Sequence, residues 1–252
     1  SSDFQFVPVV ESTLPSDGLY RLRSRDAGRY LTLPADKATG KAMRLAATPS
    51  AENIFHVEGG RLLSYATGYY VQKAQHPALG NATALLPSAH PIEPDCYALE
   101  TGGSYLRGRS LGVELVTYNT DATTAWELVP VSTLPVSVSA AGYSTLYTPQ
   151  TLAPAAGSGF QAYTARYDET AHAFRLDEVT EVLPARQGLV VKAPQGEYHL
   201  PVVGTTTTAT SDLSGTLATT AATADLFIHQ MGTEGIVLYR FANDNSGNLD
   251  GL

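Results

Sequence analysis

The feature that most constrains the fold is a short phrase that occurs three times in the first half of the chain. A glycine stands two residues before a tyrosine, and an aliphatic residue follows that tyrosine, in residues 28–31, 68–71 and 103–106. The tyrosines Tyr30, Tyr70 and Tyr105 are separated by roughly 35 to 40 residues, the length of one unit in many repeat proteins. Such units bury their apolar faces only against one another. The phrase therefore predicts an internally repeated fold.

Each phrase is expected to lie in a β-hairpin, because a short turn needs a glycine that accepts positive φ. A second phrase, interleaved with the first, supplies three closing strands that carry Phe55, Tyr97 and Trp126. Side chains at equivalent strand positions point to the same face, so these three aromatics are expected to meet near one axis. Three hairpins and three closing strands predict a pseudo-threefold barrel.

These residues carry a family resemblance. Residues from about 14 to 131 resemble a degenerate ricin-type β-trefoil, whose repeats of roughly 40 residues each close with a Gln-x-Trp strand. The corresponding triplets are Asn53-x-Phe55, Asp95-x-Tyr97 and Thr124-x-Trp126. None of them keeps the full signature, and this departure weakens the transfer of sugar binding more than that of the fold.

The strand pattern changes at Leu134-Pro135, which predicts a β-trefoil over residues 14–133 and an antiparallel β-sandwich over residues 134–252. Short alternating segments separated by glycine and proline are typical of a sandwich. The eight predicted strands are residues 136–139, 143–147, 161–164, 174–179, 188–192, 198–202, 226–229 and 236–241. The chain as a whole is therefore expected to be all-β.

A second resemblance covers this latter half. Residues 141–147, 160–165 and 183–191 are similar to a β-domain near the C-termini of many secreted Bacteroidetes proteins. That domain usually runs on into an alanine-rich final strand, so the likeness implies a truncated sandwich. Residues 4–9 echo residues 126–131, which favours residues 1–13 as the tail of a preceding unit, or else as the first strand of the barrel. The chain is accordingly expected to come from a longer protein that has other domains.

Composition excludes several classes of partner. The net charge of -8, without a long basic run, argues against nucleic acid and acidic lipid. No apolar stretch reaches the roughly 20 residues of a spanning helix, so membrane insertion is not expected. The single cysteine, Cys96, excludes an internal disulfide and leaves the compartment open. With the second resemblance, the expected location is secreted or on the cell surface.

Motifs that carry chemistry are mostly absent, so no catalytic residue, no metal site and no cofactor is expected. The chain has neither a phosphate-binding glycine loop nor a nucleophile elbow. Cys96 could act as a thiol nucleophile with His56, His76 or His90 as base, but its predicted strand position favours the role of a small buried hydrophobe. The loop of residues 243–250 has oxygen ligands suited to calcium but lacks a closing glutamate, which favours a solvated hairpin tip.

Two clusters of charged residues also allow a functional interpretation. A patch of Arg21, Arg23, Arg25, Arg29, Arg107 and Arg109 could bind anionic glycans. A solvated face paired with acidic residues is favoured instead. Asp177, Glu178 and Glu181 could provide a carboxylate pair for glycoside cleavage, although alternation explains them as the outer face of a strand.

The best candidates for ligand contacts are the aromatics that differ between repeats. Alternation directs Tyr30, Tyr70 and Tyr105 inward and Tyr69 outward. Exposed rings stack on sugar faces, so the predicted carbohydrate site consists of Tyr65, Tyr69, Tyr118 and Asn119. The predicted function is non-catalytic recognition, with a glycan or a surface protein as partner. The alternatives are a protein-interaction module, such as a protease inhibitor or an adhesin, and an accessory region of a larger secreted enzyme.

Overall fold

The computed structural model describes residues 15–110, 112–155, 157–171, 173–204, 211–213 and 215, together with the backbone of two strands between residues 227 and 240. The chain divides into two compact units, Ser1–Pro130 and Val131–Leu252. The boundary thus lies shortly before Leu134-Pro135, which belongs to the first strand of the second unit. The predicted N-terminal segment 1–13 and the loop 243–250 lie outside the described residues.

The first unit is a twelve-stranded antiparallel sheet with two short 3₁₀ turns, Ala51–Asn53 and Ala122–Thr124. Its strands are β1 (Gly18–Ser24), β2 (Tyr30–Thr32), β3 (Arg44–Ala46), β4 (Phe55–Glu58), β5 (Arg61–Ser64), β6 (Tyr70–Lys73), β7 (Pro77–Gly80), β8 (Leu86–Ala89), β9 (Tyr97–Thr101), β10 (Ser104–Arg109), β11 (Gly112–Val116) and β12 (Trp126–Pro130). The main path runs β11, β10, β9, β12, β1, β4, β5, β6, β7.

Three hairpins of this unit have the same register. Arg23 faces Tyr30 across β1 and β2, Leu63 faces Tyr70 across β5 and β6, and Arg107 faces Glu114 across β10 and β11. The residue before each first partner, Leu22, Leu62 or Leu106, is fully buried in one core. Each hairpin is followed by a closing strand, namely β4, β9 and β12. The predicted pseudo-threefold architecture is confirmed, and the first unit is a β-trefoil.

The hairpin turns explain the glycines. Gly28, Gly68 and Gly112 occupy the same turn position, and all three have positive φ, at 62°, 69° and 147°. In the first two turns the glycine N–H donates to the carbonyl of Ser24 or Ser64 at 2.9 Å. A side chain would strain this backbone, which is why the glycine recurs.

The predicted register of the third copy of the repeated phrase is wrong. Residues 103–106 lie at the start of β10, on the hairpin between β9 and β10, whereas Tyr30 and Tyr70 lie on the second strand of their hairpins. The true counterpart of Tyr30 and Tyr70 is Glu114. The third repeat has Glu114 at the position where the other two have a tyrosine. The nearby Gly-x-Tyr sequence of residues 103–106 therefore matches the phrase in the sequence but lies at a different position of the fold.

The inward direction predicted for the repeated tyrosines is also wrong. Tyr30, Tyr70 and Tyr105 are half-buried, and the aliphatic residues that follow them, such as Leu31 and Val71, fill the core instead. A strand alternates its faces, so when the aliphatic residue points inward the tyrosine before it points outward.

The core of the trefoil is built around Trp126 and Phe55, both fully buried, as expected. Trp126 Nε1 donates to the Leu106 carbonyl at 2.9 Å, which satisfies the indole N–H. Tyr97, their counterpart on β9, is only half-buried and lies outside this core, where Leu99 takes its place. The expected meeting of three aromatics therefore holds for two of them.

The second unit contains two described sheets that fit the predicted antiparallel sandwich. One sheet has three strands, in the order β13 (Thr133–Val138), β19 (Gly196–Gly204), β15 (Thr151–Leu152). The other has four, in the order β14 (Tyr143–Leu146), β18 (Leu189–Lys192), β16 (Gln161–Asp168), β17 (Ala173–Glu178). A separate hairpin pairs β20 (Phe227–Gly232) with β21 (Gly235–Arg240).

All eight segments predicted as strands in this half overlap observed strands, and the short β15 was missed. The described buried residues of this unit are mostly aliphatic, including Leu134, Leu152, Leu183 and Leu200, each with no exposed surface. In this unit, the alternation of apolar residues in the sequence therefore predicts the positions of the strands.

Candidate functional site

The four residues predicted to bind sugar fall on two different repeats. Tyr65 and Tyr69 belong to the turn between β5 and β6, whereas Tyr118 and Asn119 follow β11. Tyr65 is half-buried, its backbone N–H donates to the Ile54 carbonyl at 3.0 Å, and burial raises the pKa of its phenol to about 12. Tyr69 is half-buried and packs against the trefoil core, so its expected outward direction is wrong.

Tyr118 is the most open ring of this set, with 38% of its surface exposed. The neighbouring Asn119 supports the turn beneath it, because Asn119 Oδ1 accepts a hydrogen bond from Thr124 Oγ1 at 2.8 Å. Thr124 is itself buried and lies 3.1 Å from His90 Nε2. Asn119 thus stabilises the turn through its hydrogen bond with Thr124, and Tyr118 provides the accessible surface.

Arg107 holds the Tyr118 ring in place. Its Nε donates to Glu114 Oε1 at 2.9 Å, its Nη2 contacts the same carboxylate, and its Nη1 donates to the Tyr118 hydroxyl. The guanidinium carbon lies 5.5 Å from the centroid of the Tyr118 ring. Arg107 and Glu114 lie opposite each other across β10 and β11, so the register of this strand pair brings their side chains together. Arg107, Glu114 and Tyr118 are referred to below as the third-repeat triad.

Further polar groups border the triad. Hydrogen bonds from Thr123 lower the pKa of Asp121, and the nearby charges of Arg107 and Arg109 act in the same direction. Asp121 therefore carries a carboxylate at neutral pH. On the other side, a hydrogen bond to Glu100 raises the pKa of Tyr105, a second tyrosine on the outer face of β10. The surface combines phenol rings with carboxylates and guanidinium groups.

The equivalent surfaces of the other two repeats are arranged differently. In the second repeat the Arg61 guanidinium carbon stacks 3.6 Å from the centroid of the Tyr70 ring, so one face of that ring is already covered. In the first repeat Tyr30 faces Arg23 and is half-buried. Tyr118 of the third repeat combines an exposed ring with a fixed orientation.

The sequence pointed to Tyr118 but missed two of its partners as site residues. The sequence predicts Arg107 only as part of a basic patch and gives no role to Glu114. The signal was present, since Arg107 and Glu114 flank a glycine turn at positions that face each other in a tight hairpin. The register error in the third repeat hid that relationship.

Three arginines of the predicted basic patch, on β1 and in the turn after it, have hydrogen-bond partners within the trefoil. Arg21 Nε donates to Asn53 Oδ1 at 2.9 Å, while Arg23 and Arg25 contact the two oxygens of Glu127 at 3.1 and 2.7 Å. Burial raises the pKa of Glu127, but hydrogen bonds from Arg25 and Arg23 outweigh it, and the net pKa is lowered. Because Arg23 and Arg25 are already paired with Glu127, these residues fit the favoured interpretation, a solvated face paired with acidic residues, better than a binding site for anions.

Cys96 is buried beside this ion-pair group, as its structural interpretation requires. Burial, with the negative charge of Glu127, raises the pKa of its thiol, which disfavours the nucleophilic thiolate. In the second unit Asp177 pairs with Arg175 and Glu178 accepts a hydrogen bond from Gln161 at 3.2 Å. Within the described residues, no three His, Cys, Asp or Glu side chains are grouped so as to hold a metal ion.

In the described part of the chain there is no helix with the length and apolar character needed to cross a membrane.

This chain is similar over about half of its length to several solved structures. They include the designed threefold-symmetric protein ThreeFoil (14% identity, TM-score 0.38), SeviL bound to the asialo-GM1 saccharide (12%, 0.38) and an apo crystal form of the BEL β-trefoil (16%, 0.40). The alignments cover 46%, 46% and 48% of this chain and 100%, 98% and 99% of those chains, respectively. No family model and no curated protein matches the sequence.

Proposed function

We propose that the trefoil unit is a carbohydrate-recognition module whose ligand contacts the third-repeat triad. The observation that carries this proposal is the exposed Tyr118 ring, fixed at its hydroxyl by Arg107. A ring that is already oriented loses little side-chain entropy when a ligand packs on it. Sugar rings present apolar C–H faces to aromatic side chains and hydroxyl groups to carboxylates, and both surfaces are available at this point.

The charged groups suit hydroxyl recognition. Glu114 is more than half exposed and has acceptor capacity beyond its contacts with Arg107. Asp121 offers a second carboxylate to the same side of the unit. Because each carboxylate lies near an arginine, the surface has little net charge, which favours neutral sugar units over strongly anionic ones.

The role we propose is non-catalytic. Arg107 contacts Glu114 through two nitrogens, an arrangement that orients the carboxylate as a hydrogen-bond acceptor. We further propose a secreted or cell-surface location, possession of a Bacteroidetes-type C-terminal domain and membership of a longer chain. These proposals rest on the resemblance of residues 141–147, 160–165 and 183–191 to a domain of secreted proteins, and an accessory role beside a catalytic domain is consistent with them.

Binding to a glycan array, followed by calorimetry with the strongest ligand, tests the proposal. Removing the ring by Tyr118→Ala is expected to weaken binding roughly tenfold, the effect of about 1.4 kcal/mol of stacking. Glu114→Gln is expected to weaken it less. Tyr167→Ala is a matched control, because Tyr167 is equally exposed, at 39%, but belongs to the other unit.

Two results would overturn the proposal. The first is an intact protein that binds none of the arrayed glycans or free monosaccharides at millimolar concentration. The second is an equal loss of binding in Tyr118→Ala and Tyr167→Ala, since the contact could not then lie at the triad.

A second candidate function, protein interaction, is favoured by a different surface. The hairpin of β16 and β17 exposes Tyr167 and Leu176, with 39% and 44% of their surfaces accessible. Exposed apolar groups that lie close together are typical of interaction sites. A pull-down with the intact protein and with Tyr167→Ala would assign any captured partner to this hairpin or exclude it.

A further inference from the structure

His90 is a buried histidine that contacts two separate segments of the trefoil. It follows β8 in the chain, only 7% of its surface is exposed, and its backbone N–H donates to the Cys96 carbonyl at 3.0 Å. The N–H groups of Ile92 and Glu93 approach its Nδ1 at 3.4 and 3.0 Å, and its Nε2 lies 3.1 Å from Thr124 Oγ1. Its Nδ1 therefore contacts the turn that follows it, and its Nε2 contacts the segment that follows β11.

These partners define the protonation state of the ring. A backbone N–H can only donate, so Nδ1 accepts, and the proton of the neutral imidazole lies on Nε2. The Nε2–H then donates to Thr124 Oγ1, and the hydroxyl proton of Thr124 is directed to Asn119 Oδ1 at 2.8 Å or to the Asp121 carbonyl at 3.0 Å. A chain of hydrogen bonds thus runs from neutral His90 to the segment that carries Tyr118.

Protonation of His90 is incompatible with this arrangement. The second proton would lie on Nδ1 and would face the N–H groups of Ile92 and Glu93, which have their acceptor at that position. Buried donors that face one another lose their hydrogen bonds, so the turn must open before the ring can hold a charge. The neutral ring therefore belongs to the closed arrangement and the charged ring to an open one.

The charged groups around His90 do not remove this conflict. Burial lowers the pKa of His90, whereas the charges of Glu93 and Asp121 and a hydrogen bond with the Asp121 backbone act in the opposite direction and are outweighed. The Arg25 Nε lies 3.8 Å from the Glu93 carboxylate, which offsets part of that negative charge. The neighbouring Cys96 thiol is uncharged near neutral pH because burial raises its pKa. Acid therefore favours the open arrangement as the pH falls below about 6.5, the ordinary pKa of a free imidazole.

We propose that His90 is a positioning residue of the carbohydrate site and that its protonation releases glycan in mild acid. Residues 118–121 supply the exposed Tyr118 ring and the Asp121 carboxylate. Thr124 holds this segment through its hydroxyl, which neutral His90 orients. When the turn opens, the segment must be ordered again on binding, and that entropy cost weakens the affinity. This inference rests on the proposed function and concerns its regulation.

Glycan binding by the full chain at pH 7.5 and at pH 5.5 measures the effect. The probes are printed neutral glycans, and calorimetry with the strongest binder gives the dissociation constant at each pH. Both pH values lie above the ordinary carboxyl pKa of about 4, so histidines are the side chains that change charge. The dissociation constant should be about three- to tenfold higher at pH 5.5, because one linked proton allows at most about tenfold per pH unit below 6.5.

Two variants separate His90 from other effects of acid. His90→Asn keeps an acceptor for the turn but cannot titrate, and His90→Gln has a longer amide that can donate towards Thr124. Each should bind with the same dissociation constant at both pH values, and circular dichroism at pH 5.5 checks that each is folded. His76→Asn, the same change in the loop after β6, is the matched control and should keep the wild-type pH dependence.

The chain of hydrogen bonds can also be observed directly. Long-range proton–nitrogen NMR should show the Nε2–H tautomer of His90 at pH 7.5, and the side-chain amide of Asn119 should shift as His90 titrates. An Asn119 amide that does not respond would overturn the inference.

The binding results separate this inference from the proposed function. Equal wild-type affinities at the two pH values would overturn the role of His90 and leave the carbohydrate site standing. A pH dependence that persists in both His90→Asn and His90→Gln would do the same. A chain that binds none of the printed glycans at either pH would overturn the proposed function, and this inference with it.

Discussion

Gly108 on β10 provides a direct test of how the trefoil core is packed. A Cβ atom at this position would lie 2.8 Å from Trp126 Cη2 and 2.8 Å from Ser24 Oγ. Neither neighbour has room to withdraw, because both are fully buried. Trp126 is held by its hydrogen bond to Leu106, and Ser24 Oγ donates to the Gly108 carbonyl at 3.1 Å. Gly108→Ala therefore forces overpacking at the centre of the unit.

The expected cost follows from three contributions. Overpacking a close-packed core costs roughly 1–3 kcal/mol. Weakening the hydrogen bond from Ser24 adds about 1 kcal/mol. Alanine recovers about 0.5–1 kcal/mol of backbone entropy relative to glycine. The net destabilisation is about 2 kcal/mol, a substantial part of the roughly 5–15 kcal/mol typical of a folded domain.

Urea unfolding followed by the fluorescence of Trp126 measures this change. Trp126 is the one tryptophan of the chain and lies in the trefoil, so its signal reports on that unit. With a slope of about 2 kcal/mol per molar urea, the midpoint should fall by about 1 M. Arg109→Ala, at the exposed neighbouring position, should change the free energy of unfolding by no more than about 0.5 kcal/mol. An unchanged or higher midpoint in Gly108→Ala would refute the close approach of β10 to the indole.

Two predictions concern acid. The lowered pKa of Glu127 means that its ion pairs stabilise the fold above the usual carboxyl pKa of 4.5 and lose that contribution as the pH falls below it. Glu127→Gln should therefore cost about 1 kcal/mol or less at pH 7, because its arginine partners are about half exposed, and this cost should shrink as the pH falls below 4.5 through the lowered pKa of Glu127; urea unfolding measures both. Burial lowers the pKa of His90, whose Nδ1 accepts the Glu93 N–H at 3.0 Å, so the trefoil should lose stability as the pH falls below 6.5. His90→Asn, which keeps an acceptor but cannot titrate, should flatten that loss between pH 7 and 5.5; an unaltered pH profile would contradict the role of His90.

The sequence predicted elements well where alternation and turn residues agreed. The eight strands of the second unit and the closing strands at Phe55 and Trp126 follow from apolar alternation, because a half-buried strand must place its apolar residues on one side. The third repeat was harder, because its second strand carries Glu114 where the others carry Tyr30 and Tyr70. Register depends on which residues face each other across the turn, and composition alone does not contain that information.

The candidate site shows the same limit. Tyr118 could be selected from the sequence because it is an aromatic residue in a polar loop. The position of Tyr69 in a turn does not predict that its side chain packs on the core, because the direction of that side chain depends on the backbone path around Gly68. Likewise, Arg61 covers one face of the Tyr70 ring, and this contact can be recognised only when the pairing of the strands is known. Contacts between strands decide which of several similar tyrosines remains accessible.

The shared turn built on Gly28, Gly68 and Gly112 has a consequence for engineering. Each turn places a glycine with positive φ between paired residues that are seven positions apart, whereas the segments after the second strand, residues 33–43, 74–76 and 117–121, differ in length. Lengthening a surface loop twofold costs only about 0.6 kcal/mol of closure entropy. New recognition loops could therefore be grafted into one repeat while the other two repeats keep their geometry. The trefoil would then serve as a scaffold with three loop positions that can be changed separately.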